Sequence, residues 1–90
     1  MSDLYSINRD NARWRIVDGE AVVIHLINTH YYSLNRTGTF LWNLLLEADR
    51  TLDDLAAATA DYYQQPLTAV RGDVGRLLDE LTREDLLVTR

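Results

Sequence analysis

The chain divides by the period of its apolar positions. Before Asn35 the period is two. Trp14 and Ile16 alternate with Arg13, Arg15 and Val17. Ala21 to Ile27 (AVVIHLI) is rich in β-branched residues, and Tyr31, Tyr32 and Leu34 follow. Bulky and branched side chains fit a pleated, half-buried surface, so these stretches read as strands. Asp18-Gly19 between the first two is a hairpin signal, because glycine tolerates the positive φ of primed turns. Asn28-Thr29 marks a second turn. The three strands therefore form a meander. In the second strand Val22, Ile24 and Leu26 share a face uninterrupted by polar groups, which makes it the expected core face.

From Arg36 onward the period becomes helical. Phe40, Leu41, Leu44 and Leu45 recur at helix spacing with Trp42 beside them. Asn35 and Thr37 each offer an oxygen to the free N–H groups of a first turn. The first helix is expected over about 36–47. A second opens at Thr51, with Asp54 three residues on as in a capping box. Leu52, Leu55, Ala56, Thr59 and Tyr62 trace its apolar face to near Tyr63. Gln64-Gln65-Pro66 stops it, since proline cannot donate to a continuing helix and restricts its predecessor. The third helix starts near Pro66–Thr68 and runs to about Glu84, carried by Leu67, Val70, Val74, Leu77, Leu78 and Leu81. Leu86-Leu87-Val88 should fold back as a short extended segment. Residues 1–11 are polar apart from Leu4, Tyr5 and Ile7 and are expected to be a flexible arm. Residues 12–90 then make one α+β domain: a three-stranded antiparallel sheet followed by three helices, as in a winged helix-turn-helix.

Composition narrows the chemistry. Ninety residues support one core. There is no cysteine, hence no disulfide framework, thiolate metal site or cysteine nucleophile. Together with an N-terminus lacking a secretory or transit pattern and no apolar run near the roughly 18 residues of a membrane span, this points to the cytoplasm. The net charge is −5, and all nine basic residues are arginine. An acidic domain is not expected to bind nucleic acid through counterion release, which leaves protein or peptide partners.

The residue types that catalyse do not assemble. His25 and His30 lie in strand-like stretches at opposite parity, without the converging spacing a metal needs. Ser33, His30 and Asp18 lack the strained elbow that gives such a trio meaning. Asp53-Asp54 suits the positive end of a helix dipole. No glycine-rich loop follows a strand to hold phosphate. The expectation is no catalytic residue, no metal, no cofactor and no enzyme activity. Gly72 and Gly75 sit inside the third helix, where glycine is worse than alanine by about 1 kcal/mol. They are either tolerated or admit another backbone. Tyr31, Tyr32, Trp42, Tyr62 and Tyr63 read as core or half-buried, although one exposed at a groove would suit peptide capture.

A winged helix has two uses compatible with this pattern. One places a helix in the DNA major groove. The third helix carries Arg71, Arg76 and Arg83 against Asp73, Asp79, Glu80, Glu84 and Asp85, which is the wrong balance. The other is strand addition, in which an extended peptide joins a free sheet edge and side-chain pockets select it. The third strand, His30 to Leu34, would be the template.

The stretch Tyr31–Leu45, YYSLNRTGTFLWNLL, resembles the strand–turn–helix signature of PqqD-like proteins through Tyr32, Leu34, Asn35, Thr37, Gly38 and Trp42. TLDDLAAATADYY is similar to that family's second helix and VRGDVGRLLDELTREDLLV to its third. The resemblance implies a recognition element for ribosomally made, post-translationally modified peptides, most like the free-standing leader-binding half of the split lasso-peptide B protein. It implies a precursor leader peptide as ligand, paired with the third strand through His30, Tyr31, Tyr32, Ser33 and Leu34. Val70, Asp73, Val74, Leu77, Glu80 and Leu81 of the third helix would line the groove. The partner implied is a leader peptidase of the cysteine-protease type. A radical-SAM or other maturase is the alternative, and a DNA-binding regulator is the more distant one. Two departures stand out. Asp85 replaces a glycine common before the final Leu-Leu, so the left-handed helix stop is expected to be made differently. Gly72 and Gly75 replace larger residues, which would alter the groove floor.

Overall fold

The computed structural model describes residues 3–90. Its elements are β1 (Leu4–Ile7), β2 (Ala12–Val17), β3 (Glu20–His25), β4 (Tyr31–Ser33), α1 (Arg36–Glu47), β5 (Arg50–Thr51), α2 (Leu52–Tyr63), α3 (Leu67–Arg83) and β6 (Leu87–Thr89). The expected meander is β2-β3-β4, antiparallel throughout, and the expected three helices follow it. Asp18 (φ 53°) and Gly19 (φ 81°) both adopt the left-handed conformation of a primed hairpin turn.

A second sheet, in the order β5-β1-β6, was not foreseen. The arm expected over residues 1–11 is, from Leu4 to Ile7, its central strand; Met1 and Ser2 lie outside the described residues. Tyr5 pairs with Thr89, Ser6 with Val88 and Ile7 with Leu87. The chain's last segment thus folds back as expected, and its partner is the chain's start. Ile7 and Leu87 are buried, so pairing also completes the core.

The core face of β3 is the opposite of the expected one. Ala21, Val23 and His25 are buried, while Val22 and Ile24 are half-buried and Leu26 is exposed beyond the strand. The small Ala21 side chain lets α1 approach closely enough for its Thr39 hydroxyl to accept the Ala21 N–H at 2.8 Å. Val22 and Ile24 face outward opposite Arg15 and Arg13 of β2, whose aliphatic stems can cover them. Counting apolar residues favoured the wrong face because close helix approach needs little volume.

The helix ends follow local chemistry. Asn35 caps α1, its side-chain oxygen accepting from Gly38 N at 2.9 Å. Thr51 and Asp54 make the full reciprocal box on α2. α3 ends with Leu86 N donating to Leu81 O and Asp85 N to Thr82 O, the paired bonds of a Schellman stop. Asp85 takes φ 62°, so the left-handed stop is retained without glycine, contrary to expectation. The Asn8 amide donates to the Asp85 carbonyl at 3.1 Å and the Asn11 amide to its carboxylate. Trp42, Leu41, Leu55, Leu78 and Leu86 fill the centre, with Trp14 edge-on to Trp42 at 5.6 Å.

Candidate functional site

β4 borders β3 on one side, and its other edge is unpaired among the described residues. The ladder fixes which backbone groups face outward. His25 N donates to His30 O, and Leu34 N donates to Ala21 O. In an antiparallel pair, hydrogen-bonded positions alternate with non-bonded ones. Between those two bonds, Tyr32 turns its N–H and C=O toward Val23, its partner. The N–H and C=O of Tyr31 and Ser33 therefore point away from the sheet. Both residues are exposed, Tyr31 at 71%.

The edge is held at both ends. Behind Leu34, the buried Thr39 hydroxyl accepts from Ala21 N and donates to Leu34 O at 3.3 Å, supplying the rung that the ladder lacks there. Ahead of Tyr31, the buried His25 ring organises the connecting loop. Its Nδ1 accepts from Ile27 N at 3.2 Å and, more distantly, from Asn28 N, so the neutral ring carries its proton on Nε2. Nε2 lies 3.6 Å from the Asp85 carboxylate. His25 is thus a structural residue. His30 is exposed, with its N–H on Asn28 Oδ1.

Between β4 and α3 runs a cleft made of two joined cavities, about 410 and 380 Å³. The first is bounded by Tyr31, Tyr32 and Ser33 on the strand and by Leu81, Glu80, Arg83 and Glu84 on the helix side. The second continues past Asn35, Thr37 and Gly38 to Asp73 and Val74. Ser33, Leu34 and Leu77 border both. Leu77 is half-buried and is the chief accessible apolar side chain of α3 in the cleft, because Val74 and Leu81 are 1% and 5% exposed. At the far end the Tyr32 hydroxyl donates to the Glu84 carboxylate, linking strand to helix. That bond, followed by partial burial and the Glu84 charge, raises the Tyr32 phenol above its ordinary value.

Of the residues named from sequence, Tyr31, Tyr32, Ser33, Leu34, Asp73, Val74, Leu77, Glu80 and Leu81 border these two cavities. His30 borders neither, and Val70 lies further along α3. Glu84, Arg83 and Gly38 were missed as lining residues. Gly38 explains the Thr-Gly pair: a Cβ there would lie 3.2 Å from Leu34 Cβ and 3.3 Å from Leu77 Cδ2. Gly72 has open space around it, and Gly75 faces Leu52 at 3.9 Å. Neither forms the groove floor. Among the described residues no group of three or more His, Cys, Asp or Glu converges as metal ligands, and no helix is long and apolar enough to cross a membrane.

A three-stranded antiparallel sheet, three helices and a cleft between the β4 edge and the last helix define a winged-helix α+β domain. The family model described as "Coenzyme PQQ synthesis protein D (PqqD)" matches residues 20–87, and the chain belongs to that family. Among solved structures it is similar to TbiB1, determined in complex with the TbiA(beta) leader peptide. The two share 28% identity with a TM-score of 0.82, over 91% of this chain and 93% of the other. Among curated proteins, none matches this sequence.

Proposed function

We propose that this protein binds the leader segment of a ribosomally made precursor peptide and presents it to a maturation enzyme. The leader joins β4 as a further strand, bonding to the outward N–H and C=O groups of Tyr31 and Ser33, and its side chains enter the cleft against α3. The carrying observation is that open edge facing a half-apolar cleft, in a chain so similar to one solved with a leader bound. Strand addition supplies affinity through the main chain, and the pockets supply selectivity. Leu77 anchors the apolar contact, while Glu80, Arg83 and Glu84 set charge preference at the rim, acting more on association rate than on affinity. The protein works by binding rather than chemistry, with no cofactor, in the cytoplasm. In the lasso-peptide setting the enzyme served is a leader peptidase of the cysteine-protease type. A radical-SAM or other maturase is the second reading. A DNA-reading role is disfavoured by the surplus of carboxylates on and just after α3.

Fluorescence-anisotropy titration with the leader of a precursor encoded beside this gene tests the proposal. Micromolar or tighter binding is expected, with Leu77→Glu weakening it at least tenfold while the far-UV spectrum stays unchanged. Val74 is unsuitable for this purpose, since a charge at a 1% exposed site attacks the fold itself. Full affinity in Leu77→Glu would place the leader elsewhere.

A further inference from the structure

The sheet β2-β3-β4 has a second edge. β2 ends it on the side away from β4, and its six residues make it twice as long as the three-residue β4. Leu26 N donates to Asn11 O at 2.7 Å, and alternation then bonds Arg13 and Arg15 to Ile24 and Val22 across the ladder. The N–H and C=O groups of Trp14 and Ile16 therefore point outward. Ahead of them the edge is closed. Ala12 N donates to Asn8 O at 3.0 Å, and the Arg13 guanidinium covers the Ala12 carbonyl at 2.8 Å. Exposed edges are commonly blunted by proline or a bulge, and β2 has neither, running in unbroken register from Ala12 to Val17. Its side chains alternate. Trp14, edge-on to Trp42, and Ile16, 51% exposed, lie on the helix side of the sheet. Arg13 and Arg15 stand on the other face, and no ion pair among the described residues uses either. Glu20 is the only acidic residue within the three strands, although the chain as a whole carries a net charge of −5.

We infer that the β2 edge docks the maturation enzyme, through an extended segment of that enzyme with acidic residues at alternate positions. The inference rests on the leader-binding reading, which gives β4 to the leader and supplies the enzyme as partner. Main-chain bonds to Trp14 and Ile16 hold the added strand. Side chains on its outer face lie beside Arg13 and Arg15, where carboxylates are favoured and basic groups opposed. Those on its inner face lie beside Ile16, where an apolar residue takes exposed surface out of water. A second copy of this chain is a poorer occupant. Matching Trp14 to Ile16 of the copy across a twofold axis sets Arg15 opposite its own counterpart, and like charges so placed destabilise. The arginines thus oppose self-pairing and select an acidic strand. The two ligands also stay apart. Leader, β4, β3, β2 and enzyme strand become successive members of one sheet, so the outer two lie about 19 Å apart, four strand spacings. The sheet can then carry leader and enzyme together, as presentation of one to the other requires.

The test uses the full isotope-labelled chain with two probes, the leader peptide and the purified maturation enzyme encoded beside this gene. Enzyme in excess should slow amide exchange at Trp14 and Ile16 by about tenfold or more, while leader slows it at Tyr31 and Ser33. Ile16→Pro removes an outward donor and leaves the bonds to β3 in place, since proline is accepted where a strand's N–H faces solvent. It should weaken the enzyme about tenfold and leave leader affinity unchanged. Arg15→Glu should act likewise, and Arg15→Lys should bind as the unaltered chain does. An enzyme that does not bind, or that protects other amides instead, overturns the inference; so does full enzyme affinity in Ile16→Pro. Should Ile16→Pro lose leader and enzyme alike, the sheet has been damaged and Arg15→Glu decides, full enzyme affinity there being the overturning result. A chain that binds no leader fails the reading beneath, and the inference falls with it.

Discussion

Thr39 holds the C-terminal end of the open edge, and replacing it isolates the contribution of one hydroxyl. The side chain is 6% exposed, accepts from Ala21 N at 2.8 Å and donates to Leu34 O at 3.3 Å. Ala21 and Leu34 are 0% and 5% exposed, so water cannot readily substitute. Thr39→Val keeps the shape and removes both bonds. Leaving a buried donor or acceptor unmade costs about 1–3 kcal/mol each. Because the Leu34 bond is long, the sum is set at about 2–3 kcal/mol. For a domain of this size 1 kcal/mol moves the midpoint by about 4–8 °C, so Tm should fall by about 8–24 °C. Thr39→Ser keeps the hydroxyl and loses one methyl, about 1 kcal/mol or less. Thermal unfolding followed by circular dichroism separates the two, and leader affinity measured well below both midpoints reads whether the edge has loosened. A Thr39→Val protein melting within 2–3 °C of Thr39→Ser would refute the reasoning.

Gly72→Ala should raise stability by about 1 kcal/mol in a urea melt, since its Cβ meets open space, whereas Gly38→Ala should lower it and weaken leader binding by crowding Leu34 and Leu77. Asp85→Ala keeps the left-handed backbone but removes the carboxylate that Asn11 and His25 address, and should cost about 1–2 kcal/mol in the same assay. The Tyr32 phenol is raised above 10, so its neutral form is the one favoured by folding; that support is complete below pH 10 and is lost as pH climbs through the raised value. Tyr32→Phe should delete one late-titrating phenol from the ultraviolet absorbance curve, and loss of a phenol that titrates in the ordinary tyrosine range instead would deny the Tyr32–Glu84 bond.

How far the sequence could be read depended on whether the deciding interaction was local. The Asp18-Gly19 turn, the Asn35 cap and the Thr51–Asp54 box are each written within a few residues, and each forms as expected. The meander and the three helices follow from them and from apolar period. The sheet β5-β1-β6 was invisible for the opposite reason. Its central strand carries only Leu4, Tyr5 and Ile7 as apolar side chains, and its partners lie at residues 50–51 and 87–89. No local rule announces a pairing across nearly the whole chain. Asp85 is an intermediate case. Its type argues against a left-handed stop, and amides from Asn8 and Asn11, distant in sequence, support it there.

The cleft shows the same division, and it bears on how specificity is built. The strand half of the site was legible because any residue of an open edge offers backbone, and Tyr31 to Leu34 remained an edge even though the expected core face of β3 was wrong. The helix half was legible only as a stripe. Period places Val70, Val74, Leu77 and Leu81 on one face without saying which are consumed by the core, and packing leaves Leu77 the accessible one among those bordering the first two cavities. What period cannot show at all is Gly38. A missing side chain in α1 leaves the room that Leu34 and Leu77 take up against its first turn. Under the proposed function the backbone of β4 would be the general part of the site, open to many extended chains, and discrimination would rest on the few side chains, and the one absence, that shape the space beside it.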